Sequence, residues 1–373
     1  MIKKLKIQKP VFGGEFISFE DEITYFTPYV LPDETVEAEI LSTRKKTAFT
    51  SLKKVITESG SRISPDCEKF SKCGGCSYLH TDYGTELSFK KQIIFESLER
   101  IAGLKFEGEC ETVSGPRYNY RSHAGIKVIN GKCGFYRRQS NTVESFPEKG
   151  CMLLNEKINE YIMQGTFNKD FKIAVDSENR IITGNDSTLI EKAGEFTFSR
   201  RLDDFFQSNM YLRTEMLNTV INTASEIHNR ETLLDLGCGT GFFSIPLSLQ
   251  YNYTLGVDIQ KSNIKSAVKN KSLNKTGKLF FEAGDMELIN PPVRTFSTVI
   301  ADPPRAGLSR KTTEKIISFN PENFIYVSCN PSTWARDVRL FADRKYALTR
   351  LYFIDMFPGT HHIELVSLLQ KTK

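Results

Sequence analysis

Cys329 stands where an apolar run, residues 323–328, gives way to Cys329-Asn330-Pro331 and then to a helical pattern over 332–341. Asn330 suits a helix N-cap and Pro331 a first helical position, which puts the thiol at the positive end of a helix, where its thiolate is favoured. A thiolate so placed can add to an electrophilic carbon and form a covalent intermediate. Two neighbouring runs offer carboxylates. Asp302 follows the apolar run 297–301 and opens Asp302-Pro-Pro-Arg-Ala-Gly307, whose prolines hold the chain at the carboxyl end of a parallel sheet. Glu364 closes Asp355-Met-Phe-Pro-Gly-Thr-His-His-Ile-Glu364 ahead of another apolar run; taken alone it reads as a surface charge. A lone cysteine at a strand end is ordinarily a small buried hydrophobe, and Cys238 is read that way.

A second constellation is a ligand loop. The apolar strand 232–236 runs into Gly237-Cys-Gly-Thr-Gly241, whose alternate glycines permit a tight turn and close approach of a ligand. A dinucleotide fingerprint would need glycine at 242, where this chain has Phe242, so the loop suits a nucleoside without a pyrophosphate. Asp258 ends the next strand, placed to accept from ribose hydroxyls, and Asp285 ends a third, placed to accept from an adenine amino group.

The third is sulfur. Of eight cysteines, Cys67, Cys73 and Cys76 fall within ten residues, with Gly74-Gly75 between the last two. Three thiolates there and a fourth from farther along the chain suit zinc or an iron–sulfur cluster. Between Thr112 and Val143 there is no acidic residue, while Arg117, Arg121, Lys127, Lys132, Arg137 and Arg138 alternate with Tyr118, Tyr120, Phe135 and Tyr136. That mixture fits phosphate contact and base stacking, and equally a solvated hairpin.

These groups need elements to hold them. Residues 1–60 read as five short strands (6–12, 16–19, 23–29, 35–42 and 47–56), a small barrel of the oligonucleotide-binding kind. A cysteine-rich turn and a helix over 86–101 follow, apolar at Leu87, Ile93, Ile94, Leu98 and Ile101, and then a mixed, strand-rich region. From residue 205, strand, glycine turn and helix repeat, which predicts an α/β domain with a parallel sheet. The expected division is therefore 1–60, 61–204 and 205–373. Charged residues are 25% and hydrophobic residues 39%, no apolar run approaches a membrane span, and Met-Ile-Lys-Lys-Leu-Lys lacks a signal-peptide core. The expectation is a cytoplasmic protein without a membrane or obligate protein partner. Its formal charge of +5 fits an RNA binder and many metabolic enzymes alike.

The glycine loop and strand-end acids resemble class I (Rossmann-like) S-adenosylmethionine methyltransferases. Four further segments, Phe205-Phe-Gln-Ser-Asn209, Asp302-Pro-Pro-Arg-Ala-Gly-Leu308, Val327-Ser-Cys-Asn-Pro331 and Asp355-Met-Phe-Pro with His362-Ile-Glu364, resemble in order the motifs of the RNA uracil-5 methyltransferase family. The resemblance implies that Cys329 is a nucleophile for uracil carbon 6 and Glu364 the base that removes the carbon-5 proton. It places Gln207, Gly237, Asp258, Asp285 and Asp302 around S-adenosylmethionine, with Asp302 also near the uracil. Phe146-Pro-Glu-Lys-Gly-Cys151 matches the segment that carries a remote fourth cysteine, so Cys67, Cys73, Cys76 and Cys151 are implied to hold a [4Fe–4S] cluster, zinc being the alternative. The N-terminal barrel resembles the TRAM domain. RNA is the implied partner, with 23S rRNA the first choice and tRNA the alternative. A methyltransferase acting on a protein or small molecule, with a zinc staple, is the competing reading.

Overall fold

A computed structural model describes residues 1–184 and 187–372. The N-terminal unit is a six-stranded sheet in the order Ile2–Lys6, Thr35–Arg44, Thr47–Thr57, Ile23–Pro28, Glu15–Glu20, Lys9–Val11. Its two edge strands are consecutive in the chain, joined only by Ile7-Gln8, so the sheet curls into a half-barrel. The predicted first strand, 6–12, is thus two strands. Ile7 N–H donates to Glu34 O while Gln8 N–H donates to Ile17 O, so the chain changes partner strand at that point. Phe16, Tyr25, Val36 and Ala38 fill the concave side, where Tyr78 and Phe89 also pack.

The middle of the chain forms a five-stranded sheet, ordered Val143–Ser145, Lys132–Tyr136, His123–Ile129, Phe171–Val175, Ile181–Thr183, covered by the helix Glu156–Gln164. A hairpin, Thr188–Ala193 with Phe196–Arg201, leads to the last third of the chain.

That last third is built on an eight-stranded sheet in the order Leu279–Ala283, Tyr253–Asp258, Thr232–Leu236, Thr298–Ala301, Asn323–Ser328, Glu364–Lys371, Tyr346–Ile354, Cys110–Val113. Its first five strands are parallel; the inner four are buried on both faces, which is why they read as largely apolar runs, while the edge strand Leu279–Ala283 is partly exposed. Chain order reverses between Thr232–Leu236 and Thr298–Ala301, the kind of switch point where open α/β sheets bind ligands. The eighth strand, Cys110–Val113, pairs parallel with Leu351–Ile354. The helix Tyr83–Ser97, capped by Asp82 accepting from Thr85 N–H at 2.8 Å, runs into a single π turn, Leu98–Ala102. Its Ile93, Ile94, Leu98 and Ala102 share one core with Trp334 and Phe341. Residues 83–113, which the sequence assigns to the middle region, therefore build the eight-stranded domain. The π turn shifts the helical phase, so Ile101, expected on the apolar face, is exposed and Ala102 takes the inward place. The helix after the glycine turn is a single short turn, Ser244–Leu247, with Pro246 inside it unable to donate a backbone hydrogen bond.

Candidate active site and cysteine cavity

Across the carboxyl edge of the sheet the singled-out residues fall in spatial order: Asp285 beyond Leu279–Ala283, Asp258 at the end of its strand, Gly237 after Leu236, Asp302 after Ala301, Cys329 after Ser328. Leu236 lies opposite both Val257 and Ala301, so Gly237 and Asp302 flank the switch point. Gly237 and Cys238 N–H both donate to Val257 O, at 2.8 and 2.9 Å. Gly237 has φ +80°, and a Cβ there would stand 3.3 Å from Asp302 O, so this position needs glycine for conformation and for room. Asp258 turns its carboxylate onto its own loop, accepting from Gly239 N–H (3.0 Å), Gln260 N–H (2.8 Å) and Asn263 Nδ2 (3.1 Å). A carboxylate has about four acceptor positions, so one remains for a ligand hydroxyl. Asp285 accepts from Glu287 N–H at 2.8 Å. Gln207 is buried on a segment whose Phe206 packs against Phe242 (centroids 5.2 Å), directly after the glycine turn. The guanidiniums of Arg200 and Arg213, both paired with Glu191, lie 5.5 and 5.8 Å from the Phe206 ring.

The other half of the site is the Cys329–Glu364 pair. Ser328 is opposite Leu365 at the end of an antiparallel ladder, Cys329 follows Ser328 in a bend just beyond its strand, and Glu364 precedes Leu365, so both leave the same edge and the Glu364 carboxyl is close enough to act on the thiol. Asn330 caps the helix Pro331–Ala342 as its sequence requires, accepting from Ser332 and Thr333 N–H, and its Nδ2 donates to Arg305 O at 3.1 Å. Thr333 Oγ1 donates to the same carbonyl, so the Asp302–Leu308 loop is fastened to the cap. The electrostatic expectation for the thiol fails. Burial, then the carboxyls of Glu364 and Asp302, push the Cys329 thiol up to about 12, with Arg305 opposing. The leading helix amides that would have stabilised a thiolate are taken by the Asn330 side chain. Burial likewise raises Asp302 to about 7 with Asp235 adding to it, and raises Glu364 well above the ordinary carboxylate value. Asp235, in the strand before Gly237, is raised to about 7 by burial and accepts from Ser244 Oγ.

Cys67, Cys73, Cys76 and Cys151 all line one cavity, with Arg121 and Phe135 in its wall. The loop carrying Cys73 lies on the hairpin 132–145: Gly74 N–H donates to Tyr136 O at 2.9 Å, and Gly75 N–H reaches Cys73 Sγ at 3.4 Å. Burial and the neighbouring thiols raise Cys73 to about 11 and Cys76 well above its ordinary value. Cys110 sits instead in the edge strand of the large sheet, and Cys133 in the hairpin's own core. Among the described residues, no three His, Cys, Asp or Glu side chains converge on one metal position.

Much of the basic stretch is paired with the protein's own groups. Arg117 pairs with buried Glu86 at 3.0 Å and donates to Tyr78 O and Thr81 O. Arg138 holds Glu15 and Gly13 O of the half-barrel, Arg137 holds Glu144 at 2.7 Å, and Lys127 holds Asp170 at 2.7 Å. Arg137 stays half exposed and Lys132 is exposed, so the hairpin keeps charge at the surface beside these ties. Sequence reasoning also passed over Glu86 and Lys90, both fully buried. The available signal was their i, i+4 spacing in line with Ile93 and Ile94 on the apolar face of a helix.

A parallel sheet with this strand order, a glycine turn and strand-end acids at its switch point defines a class I S-adenosylmethionine methyltransferase fold. The family model for tRNA (uracil-5-)-methyltransferase matches residues 169–283 and 285–372, just over half of the chain, and the chain belongs to that family. It is 31% identical to an RNA methyltransferase of Aquifex aeolicus over 98% of each chain, and 29% identical to one of Listeria monocytogenes over 98% of this chain and 97% of that one. Among solved structures, the Pyrococcus abyssi tRNA (uracil-54, C5)-methyltransferase in complex with S-adenosyl-L-homocysteine superposes with a TM-score of 0.75 at 22% identity, covering 98% of this chain and 100% of that one. Among the described residues, no helix is long and apolar enough to cross a membrane.

Proposed function

We propose that this protein, acting in the cytoplasm, methylates carbon 5 of a uridine in RNA, 23S rRNA before tRNA, through a covalent bond between Cys329 Sγ and uracil carbon 6. The observation that carries the reading is that Cys329 and Glu364 leave adjacent strands at the same edge, next to the Asp302 strand that separates them from the glycine turn, with both carboxyls acting on the thiol. Gln207, Gly237, Asp258, Asp285 and Asp302 bind the cofactor. S-adenosylmethionine supplies the methyl group and brings a positive sulfonium that favours ionised carboxylates beside it.

Burial disfavours the ionised forms of both Cys329 and Glu364, and the positive charge of the bound cofactor works the other way. Asp302, poised near 7, takes the thiol proton as Sγ bonds to carbon 6, and carbon 5 becomes an enolate-like nucleophile. Carbon 5 takes the methyl group; Glu364, its own proton given up to solvent when the cofactor's positive charge enters the pocket, then removes the carbon-5 proton as a carboxylate, the electron pair left behind expels Sγ, and Asp302 returns a proton to the thiolate. The target base must leave its stack to enter so buried a pocket.

Cys67, Cys73, Cys76 and Cys151 fit a [4Fe–4S] cluster by donor chemistry and by lining one cavity. The same four thiolates could hold zinc, and the cluster is preferred because the Cys67-x5-Cys73-x2-Cys76 spacing with a remote Cys151 resembles the cluster-bearing pattern. No step above changes oxidation state, so the cluster's role is structural or in RNA contact. The half-barrel is read as a TRAM-like RNA-binding unit. The 23S choice rests on the four-cysteine pattern; the family name and the Pyrococcus protein favour tRNA. Mass-spectrometric mapping of 5-methyluridine in rRNA and tRNA from a deletion strain separates the two.

The mechanism is tested with RNA carrying 5-fluorouridine at the target, where fluorine cannot leave as a cation. Wild-type protein with S-adenosylmethionine should form a methylated adduct that survives denaturing electrophoresis, and Cys329→Ala should not. Glu364→Gln should accumulate the adduct on ordinary RNA. The same gel shift from wild type and Cys329→Ala would remove Cys329 as nucleophile.

A further inference from the structure

Between the strand Tyr346–Ile354 and Glu364 lie nine residues, 355–363, with neither helix nor strand, yet most are buried. Each of the first five is hydrogen-bonded to a distant element. Asp355 accepts from Lys90 Nζ (2.7 Å) and Tyr83 OH (2.9 Å); Met356 O accepts from Asn209 Nδ2 (3.0 Å) and Phe357 O from Lys90 Nζ (3.3 Å). Pro358 O accepts from Tyr120 OH (3.0 Å), Gly359 N–H donates to Glu86 Oε1 (2.6 Å), and Gly359 O accepts from Ser77 and Tyr78 N–H. Ser77 Oγ lies 3.2 Å from His361 Nδ1, which leaves only His362 and Ile363 before Glu364.

Lys90, Glu86 and Asp355 are each 0% exposed, and Arg117 closes the group by pairing with Glu86. Burial opposes the Lys90 charge, but Asp355 and Glu86 outweigh burial and hold its pKa above the ordinary lysine value. One helix, Tyr83–Ser97, thereby grips both ends of the irregular segment's first half. Cys329 is held by the Asn330 cap and the helix behind it, whose contacts with the helix Tyr83–Ser97 are apolar and involve neither Lys90 nor Glu86.

We propose that Lys90 and Glu86, which lie outside the reaction pocket, are positioning residues for Glu364, and that they govern removal of the carbon-5 proton rather than nucleophilic attack or methyl transfer. This rests on the role proposed above for Glu364. Loosening the grip shifts Glu364 while Cys329 and the cofactor loop stay in place, and a displaced base slows its own step selectively.

The test is single turnover with RNA tritiated at carbon 5 of the target uridine and with methyl-labelled S-adenosylmethionine. Glu86→Gln and Tyr83→Phe preserve shape and remain usable if Lys90→Met does not fold. In Glu86→Gln, tritium release should slow about tenfold or more relative to methyl transfer, so that methylated adduct builds up on ordinary RNA. Tyr83→Phe should shift the same ratio by less. Equal slowing of both steps, tracking the folded fraction, or no change in their ratio overturns the proposal. Adduct in Glu364→Gln but not in Glu86→Gln overturns this inference alone. Adduct in neither overturns the assignment of Glu364 as base, and this inference with it.

Discussion

A thiol held up to about 12 attacks nothing near pH 7 until a neighbour takes its proton, and in this pocket the neighbour that titrates in range is Asp302. Single-turnover kcat/KM should therefore rise as pH passes through about 7. Asp302→Asn should lower the rate and remove that inflection, whereas a flat wild-type profile from pH 6 to 8 would exclude Asp302 as the acceptor. The same group leaves a mark on folding. Its folded pKa, about 7, lies above the roughly 3.9 of an unfolded Asp, so the native state favours the neutral acid. Stability is then full below pH about 4, falls as the unfolded chain ionises between about 4 and 7, and levels off above. Urea midpoints at pH 4, 6 and 8 should show this decline, and Asp302→Asn should flatten it. Asp235 shares the window, so the difference between wild type and variant isolates Asp302.

Two elements carry the support of the site, and each has a substitution that should disturb it without touching a reacting group. The Cys73–Cys76 loop lies so close to the hairpin that a Cβ on Gly74 would stand 2.8 Å from Arg138 N and Tyr136 O, whereas a Cβ on Gly75 meets nothing nearer than Cys73 Sγ at 3.5 Å. Gly74→Ala should lift the loop and abolish the broad visible absorption of anaerobically purified protein, as Ser at Cys67, Cys73, Cys76 or Cys151 should. Gly75→Ala, Cys110→Ser and Cys133→Ser should keep it. Colourless wild-type protein with one equivalent of zinc would replace the cluster by the metal. In the helix Tyr83–Ser97, Lys90→Met strips the counter-charge from two fully buried carboxylates and should cost about 3–5 kcal/mol in urea unfolding.

At the scale of the whole molecule, the half-barrel is tied to the middle region through Arg138 with Glu15, and the middle region to the large sheet through Arg117 with Glu86. Basic residues used in this way are poor phosphate ligands. Arg137→Ala with Arg138→Ala should loosen packing more than it changes RNA binding. The exposed turn Arg44-Lys45-Lys46 is better placed to meet phosphate, although Lys46 is paired with Glu22 at 2.7 Å. Arg44→Ala with Lys45→Ala should reduce the slope of log K against log salt by about 0.7 for each phosphate of single-stranded RNA that the turn no longer neutralises. An unchanged slope would take this turn out of the RNA path.

The chemistry legible in the sequence was of short range. Asn330-Pro331 after an apolar run specifies a strand end and a capped helix from side-chain and backbone preferences alone, and the strand 323–328 and the helix behind it fall where those residues put them. Alternate glycines after Leu236 likewise specify a turn whatever surrounds it. Tertiary structure decided whatever depends on burial or on distant partners. The Cys329 thiol is raised rather than lowered because neighbouring strands exclude water and bring Glu364 and Asp302 beside it. Arg117 became a structural tie, and Lys90 found Asp355 from 265 residues away. A charge reads as solvated until the fold closes over it. Local spacing records which groups a turn can present, but desolvation and long-range pairing exist only once the chain has packed.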